Sequence, residues 1–408
     1  MQENLLLNEG YNLKEYVNNS DGTYIVINKK KFIDLSCCAG SQILGHNNIE
    51  IKKIQKNIIN LGISNYAIPN IHAIKFTNTL NRILKNFSKY VFCNSGSEAI
   101  MKGLRIARSL NKNKIIINAT GSWHGSVNET LYIAKKDLSA QKLSDGLPND
   151  TKKNIKFIPY GNIDVSKKIL DKYKKDINCV LLEPIQGSLP TDENIQYVKF
   201  LEKYCKQNKI LFFLDEMITG LRTDGSSFQN YYKIKSDISV FGKSFGGGFP
   251  IGIIGINKKI EEKIKKKKIK IFFGGTFSGN STIMYIADKI TNIINKKKEI
   301  IKNIDKKAQH FQDSINNYTK QNILDVRVFS FASMARIVFS SNKVTNRTQR
   351  DFFEANKKSK IEKFKKYLTK NRVYYPKNGI IFFSYSMSKK DLNKVIKIIK
   401  QGLILYLR

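Results

Sequence analysis

A chain of 408 residues with 41% hydrophobic and 11% aromatic content can bury the core of a large globular fold with two or three lobes, and it is not a disordered protein. Its formal net charge of +38 raises nucleic acid or an anionic surface as a partner. However, Lys outnumbers Arg about six to one and is scattered with Asn and Ile through every segment, whereas a nucleic-acid reader concentrates arginine.

We read the charge as a compositional bias carried on solvated faces, densest between Lys263 and Lys270, and expect no nucleic-acid partner. Five cysteines, Cys37, Cys38, Cys93, Cys179 and Cys205, show no CxxC spacing and suit small core residues in a reducing compartment; no metal is expected. The first residues lack a signal-peptide pattern and no apolar run reaches a membrane span, so a cytoplasmic location without membrane partners is expected.

In chain order, a polar helix and a hairpin around Asn19-Ser20-Asp21-Gly22 are expected up to about Lys31. A strand then runs into the turn ending at Gly45-His46, where His46 reads as a local hydrogen-bonding residue, and Ile49 to Leu61 has helical spacing. YVFCNSGSEAIMKGLRIARSL reads as strand Tyr90 to Cys93, a tight turn, and an amphipathic helix Glu98 to Leu110. Such a junction offers free N–H groups, hydroxyls and a positive helix end, which suits either a phosphate or an ordinary serine N-cap. Strand Lys114 to Asn118 leads to a Gly-rich turn with Trp123, the chain's one tryptophan, and His124. A tryptophan at a strand end can stack on a flat ring or serve as a packing aromatic. The polar region from Asp137 to Asn154, with Gly146-Leu147-Pro148, reads as a mobile loop over a site. Strand Cys179 to Leu182 ends in Glu183-Pro184.

The stretch from Leu211 to Pro250 carries the sharpest signal. The apolar run Ile210 to Leu214 delivers Asp215, and the run Ile238 to Phe241 is followed by Lys243 and three glycines. In open α/β sheets ligands bind outside the carboxyl ends of the strands, so acid and lysine can face one molecule. A pyridoxal phosphate (PLP) enzyme needs that pair: a lysine to bond the aldehyde and a carboxylate to keep the pyridine nitrogen protonated. Beyond it IFFGGTFSGNSTIMYIADKI reads as a strand, a turn carrying Thr276 and a helix, and a long helix follows to about Lys320. The tail then reads as strand VRVFSFASMARIVFSS, a Lys-rich helix, strand GIIFFSYS and a last amphipathic helix from Lys389. Alternating strands and helices argue for an α/β fold with a mostly parallel sheet covered on both faces, plus a smaller α+β lobe.

FIDL…ILGH, NSGSEAIMKGLRIAR, GSWHG, EPIQG, LDEMITGLR, GKSFGGGFPIG and GGTFSGN, in that order, make the chain resemble class III, fold-type I PLP-dependent aminotransferases, and within them the glutamate-1-semialdehyde aminomutase branch. The resemblance covers nearly the whole chain. It implies an amino-terminal segment over residues 1–45 packing with the small lobe, a large PLP-binding domain over 46–295, and a small α+β domain over 296–408. Lys243 would bond the cofactor and Asp215 would partner its ring nitrogen. Ser95, Gly96 and Ser97 would hold the phosphate, while Trp123 and Met217 would lie against the two ring faces. His124, Glu183 and Ser188 join the cofactor-binding set, and Thr276 would reach the phosphate of a neighbouring subunit, which implies a homodimer with shared sites.

The chain departs from that branch in its substrate pocket. Ala39 stands where the branch carries tryptophan, Ser188 where it carries asparagine and Phe272 where it carries tyrosine, and no arginine precedes Arg82. Arg336 and Arg372 are candidates for gripping a substrate carboxylate. The expected activity is therefore an aminotransferase with ping-pong chemistry, moving an amino group from an amino-acid donor such as glutamate to an aldehyde or ketone, as in surface-sugar or secondary-metabolite synthesis. The first alternative is glutamate-1-semialdehyde 2,1-aminomutase of tetrapyrrole synthesis; a remote one is a basic nucleic-acid-binding protein on an inactive enzyme fold.

Overall fold

The computed structural model describes residues 16–66 and 68–407. At its centre is a seven-stranded sheet in the order Lys89–Cys93, Gly252–Ile256, Ile238–Gly242, Leu211–Asp215, Ile177–Leu182, Ile115–Ala119, Ile155–Ile158. Pairings from Ile238–Gly242 across to Ile155–Ile158 are parallel, and Gly252–Ile256 runs antiparallel to both neighbours. Leu211 and Phe213 pack on the side of helix Gly96–Leu110, while Phe212 and Leu214 pack on the side of helix Ile195–Asn208. Successive side chains of a strand point to opposite faces, so a sheet covered on both sides needs this unbroken apolar run. Gly103 is where helix and strand meet most closely, since a Cβ there would overlap the Phe213 ring.

The two ends of the chain share a smaller α+β region. Val17–Asp21, Tyr24–Ile27 and Lys30–Asp34 form an antiparallel meander around the expected hairpin, joined in parallel by Val373–Tyr374. Arg327–Phe331, Met334–Val338 and Ile381–Phe382 form a three-stranded sheet backed by helices Glu299–Gln321 and Lys389–Leu407. His46 bonds locally as expected, its Nε2 lying 2.7 Å from Asp34 Oδ2. The polar helix expected before the hairpin lies outside the described residues.

Three local expectations are corrected. Residues 271–273 are a loop instead of a strand: they have no sheet neighbour, Arg105 holds the Phe272 carbonyl at 2.6 Å, and Phe272 is 79% exposed. The two helices expected after the Thr276 turn are Ser281–Lys296 and Glu299–Gln321, separated where Lys297 leaves helical backbone. VRVFSFASMARIVFSS is a hairpin, turned at Ala332 with φ 49°. The stretch from Asp137 to Asn154 is not one irregular loop. It holds strand Ala140–Lys142, paired with Tyr132–Ala134, and the short helix Asn149–Lys153, with Ala140 and Leu147 buried in the same cluster as Ile155 and Phe157 of the sheet's edge strand.

Candidate active site

Strand register lines up the chemistry. Leu214 lies beside Leu182, Asp215 beside Val240, and Asn118 beside Leu181. Asp215, Glu183, the turn after Ala119 and Lys243 therefore emerge along one edge of the sheet. Gly252 pairs with both Gly242 and Cys93, which brings the Asn94–Ser97 turn to the same edge; a Cβ on Gly252 would overlap the Ser95 carbonyl.

Asp215 is buried and both its oxygens are used. Oδ1 accepts the Met217 N–H at 2.9 Å, and Oδ2 lies 2.8 Å from His124 Nδ1. His124 Nε2 is buried without a partner among the described residues. Glu183 Oε2 accepts the Trp123 N–H at 2.9 Å. Burial pushes the Glu183 carboxyl up to about 7, against the pull of His124. Lys243 opens the short turn Lys243–Phe245 with φ 44°, a left-handed conformation that is costly for any residue but glycine. Ser244 Oγ donates to the Gly220 carbonyl at 2.6 Å and Phe245 is buried in the core, so the surroundings hold the turn in place. Burial lowers the Lys243 pKa, the Arg222 guanidinium lowers it further, and Glu183 and Asp215 oppose both. The neutral fraction of the amine rises as a result, which a nucleophilic amine requires.

Met217 is seated against two glycines. A Cβ on Gly96 would lie 3.1 Å from its sulfur, and one on Gly242 would overlap it. Ser95 Oγ accepts the Glu98 N–H at 3.1 Å, so the plain N-cap role is real for that hydroxyl. Ser97 Oγ accepts the Ser126 N–H at 2.9 Å, tying the Gly125 turn to the positive end of helix Gly96–Leu110. Trp123 is 52% exposed. Ser188 Oγ donates to the Gly121 carbonyl at 3.3 Å, so it braces the Trp123 turn from the next loop.

Lys243, Asp215, Ser95, Gly96, Ser97, Trp123, His124, Glu183 and Met217 are thus brought together. Thr276 is not: it lies on the exposed loop before helix Ser281–Lys296, with no hydrogen bond to this group among the described residues. Arg372 stacks over the Phe32 ring at 5.2 Å in the terminal sheet, so it is no candidate for substrate. Sequence reasoning passed over Arg222. Its guanidinium is 1% exposed, donates to Ser333 Oγ at 2.8 Å and to the Gly40 carbonyl, and lies over the Phe382 ring. Its place in LDEMITGLR was a signal, but spacing alone does not turn an arginine inward.

The architecture and the strand-end acid and lysine define a fold-type I PLP-dependent transferase. A solved omega-transaminase from Sphaerobacter thermophilus superposes with a TM-score of 0.89 over 97% of this chain and 92% of that one, at 18% identity. A glutamate-1-semialdehyde aminomutase from Pseudomonas aeruginosa does so at 0.85 over 96% and 88%, at 15% identity. The aminotransferase class-III family matches residues 8–401, and the chain belongs to it. Among curated relatives, glutamate-1-semialdehyde 2,1-aminomutase of Methanococcus vannielii is 32% identical over 85% of this chain and 80% of that protein. The enzyme of the same name from Methanosphaera stadtmanae is 30% identical over 92% and 88%. The family is PLP-dependent. Among the described residues no helix is long and apolar enough to cross a membrane.

Proposed function

We propose that Lys243 carries the cofactor and moves the proton at the reacting carbon, while Asp215, oriented by His124, keeps the ring nitrogen protonated. When bound, PLP supplies an electron-poor ring that stabilises negative charge on carbon beside the transferred nitrogen. The observation that carries this reading is the emergence of Lys243, Asp215 and Glu183 at one sheet edge. The residues present fit the cofactor. Glycine at 96 and 242 lets Met217 sit against the turn at Ser95, Gly96 and Ser97, which offers helix N-terminal N–H groups to a phosphate, and the buried His124 Nε2 lacks a partner among the described residues. Trp123 and Met217 are assigned to the ring faces, and Glu183 and Ser188 to bracing the Trp123 turn.

For the reaction, we favour glutamate-1-semialdehyde 2,1-aminomutase chemistry, supported by the relatives that bear that name at 30–32% identity. This reverses the order in which the pocket residues alone ranked the two readings. The second reading, separate donor and acceptor, is favoured by Ala39, Ser188 and the lack of any arginine before Arg82. Incubating the PLP-loaded protein with glutamate-1-semialdehyde and no other amine separates them. Formation of 5-aminolevulinate is the expected result. A strict need for a second amine, with ping-pong kinetics, would establish the second reading instead.

We also assign a homodimer. Tyr66, Ile68, Ile71, Ile74, Phe272 and Phe277 are exposed, and the Asn70–Gly279 and Ser64–Ser281 hydrogen bonds join their two segments into one apolar face. Thr276 lies on that face and is assigned to the partner's phosphate.

A further inference from the structure

The seven-stranded sheet ends at Ile155–Ile158, which pairs only with Ile115–Ala119 among the described residues. Three strands separate it from Ile238–Gly242, the strand that leads into Lys243. In its parallel register the Ile116 N–H donates to the Asn154 carbonyl and the Thr120 N–H to the Ile158 carbonyl. Backbone groups alternate sides along a strand, so Asn154, Lys156 and Ile158 face Ile115–Ala119, while Ile155 and Phe157 turn their N–H and C=O groups outward. No strand takes these groups up among the described residues. Such an edge is a template for one more strand.

A groove of about 720 Å³ follows that edge, and side chains from both faces of the sheet line it. On one face Ile155 and Phe157 cluster with Leu138 and Ala140. On the other, Lys156 lies over the Tyr173 ring, and Tyr173 and Ile169 of helix Ile163–Tyr173 make the wall. A groove walled from both faces of an edge strand has the open backbone edge as its floor.

Its rim is basic. Lys152, Lys153, Lys156 and Lys172 line it, and Asp137 is the only acid among the described residues that do so. Asp137 already accepts from the Ser139 N–H at 3.0 Å and hydroxyl at 2.7 Å, and Lys153 pairs with Asp150 at 2.7 Å. Lys152, Lys156 and Lys172 have no carboxylate within 4.0 Å among the described residues. The ammonium groups of Lys156 and Lys172 each lie 5.4 Å from the centre of the Tyr173 ring. Lysine on an edge strand opposes pairing between identical chains, and a net charge of +38 repels a second copy further. The same charges attract an acidic chain.

We propose that this groove takes an extended acidic segment of a partner protein as an added strand. Main-chain hydrogen bonds at Ile155 and Phe157 supply affinity, and the four lysines select aspartate and glutamate side chains. The interaction is independent of the amino-group transfer proposed above.

The test uses the full-length, PLP-loaded protein and a fluorescein-labelled peptide of alternating valine and glutamate, followed by anisotropy at low ionic strength. The fully N-methylated peptide keeps the side chains and charge but has no N–H to donate. The plain peptide should bind, more weakly as salt rises, and the methylated form at least about tenfold more weakly still. Lys156→Glu combined with Lys172→Glu should weaken the plain peptide by about tenfold or more and let a valine–lysine peptide bind instead. If that protein does not fold, Lys152→Glu with Lys172→Glu, both at exposed positions, is read in the same way. Equal binding of the methylated form would make the groove a site for anions of any kind. Unchanged affinity in a folded charge-reversed protein would place the peptide elsewhere on this basic chain. Either result, or no binding at all, overturns the proposal.

Discussion

His124 Nδ1 lies 2.8 Å from Asp215 Oδ2, and both side chains are almost wholly removed from solvent. The Met217 N–H holds the other oxygen, so the acid is fixed at two points. Asp215→Asn should preserve both: the amide oxygen still accepts from Met217, and its NH2 can face His124 in the other imidazole tautomer. The melting temperature should stay within a few degrees of wild type. Turnover should fall by at least about 100-fold, because a neutral amide cannot keep the ring nitrogen protonated. Near-normal turnover in a folded Asp215→Asn protein would remove this residue from the chemistry.

Glu183 makes stability depend on pH. Burial raises its carboxyl from the usual range to about 7, so between roughly pH 4.5 and 7 the folded state holds a proton that the unfolded chain has released. Its contribution is complete below that window and is lost as pH rises through it, with a ceiling of about 3 kcal/mol. Glu183→Gln cannot ionise but can still accept the Trp123 N–H. Glu216, also pushed up to about 7 by burial, is common to both proteins. Denaturant unfolding of the cofactor-free proteins from pH 5 to 7.5 should therefore show a shallower decline for Glu183→Gln. Parallel declines would mean that Glu183 is ionised throughout.

Gly125 and Gly146 give a matched pair. Both have left-handed backbone, φ 78° and 77°, so alanine costs roughly 1–2 kcal/mol at either position. A Cβ on Gly125 would lie 2.5 Å from Ser97 Oγ, whereas one on Gly146 would meet nothing within 4 Å. Gly125→Ala should lose more stability than Gly146→Ala, and it alone should lose PLP affinity, by tenfold or more, in an absorbance titration. Equal affinities would separate Ser97 from the phosphate.

Much of the site was legible because parallel strands buried on both faces leave a plain trace. The apolar run before Asp215 and the one before Lys243 each end where a strand ends, and topology requires parallel strand ends to share an edge. Gly252–Ile256 was harder to read: glycines interrupt its isoleucines, and nothing local shows that it runs antiparallel between Cys93 and Gly242. Residues 271–273 misled in the opposite direction. Their apolar side chains fit a strand, but Phe272 lies on an exposed face, which local patterning cannot distinguish from a core. The stretch around Gly146-Leu147-Pro148 looked mobile because it is polar, yet burial of Leu147 fixes it to the sheet edge. The Nε of Arg336, buried without a partner among the described residues, and its place beside Gly379 depend on tertiary contacts alone.

The most direct test concerns Lys243. Its amine opens the turn at the carboxyl edge of the sheet, in a left-handed backbone conformation, with its basicity lowered by burial. The purified protein should be yellow, and borohydride should bleach the colour and fix the cofactor covalently. Peptide mapping of the reduced protein should find the added mass on Lys243. Lys243→Ala should show no covalent adduct while still binding PLP through the turn at Ser95, Gly96 and Ser97. An adduct on another lysine, or a Lys243→Ala protein that is still labelled stoichiometrically, would contradict the account.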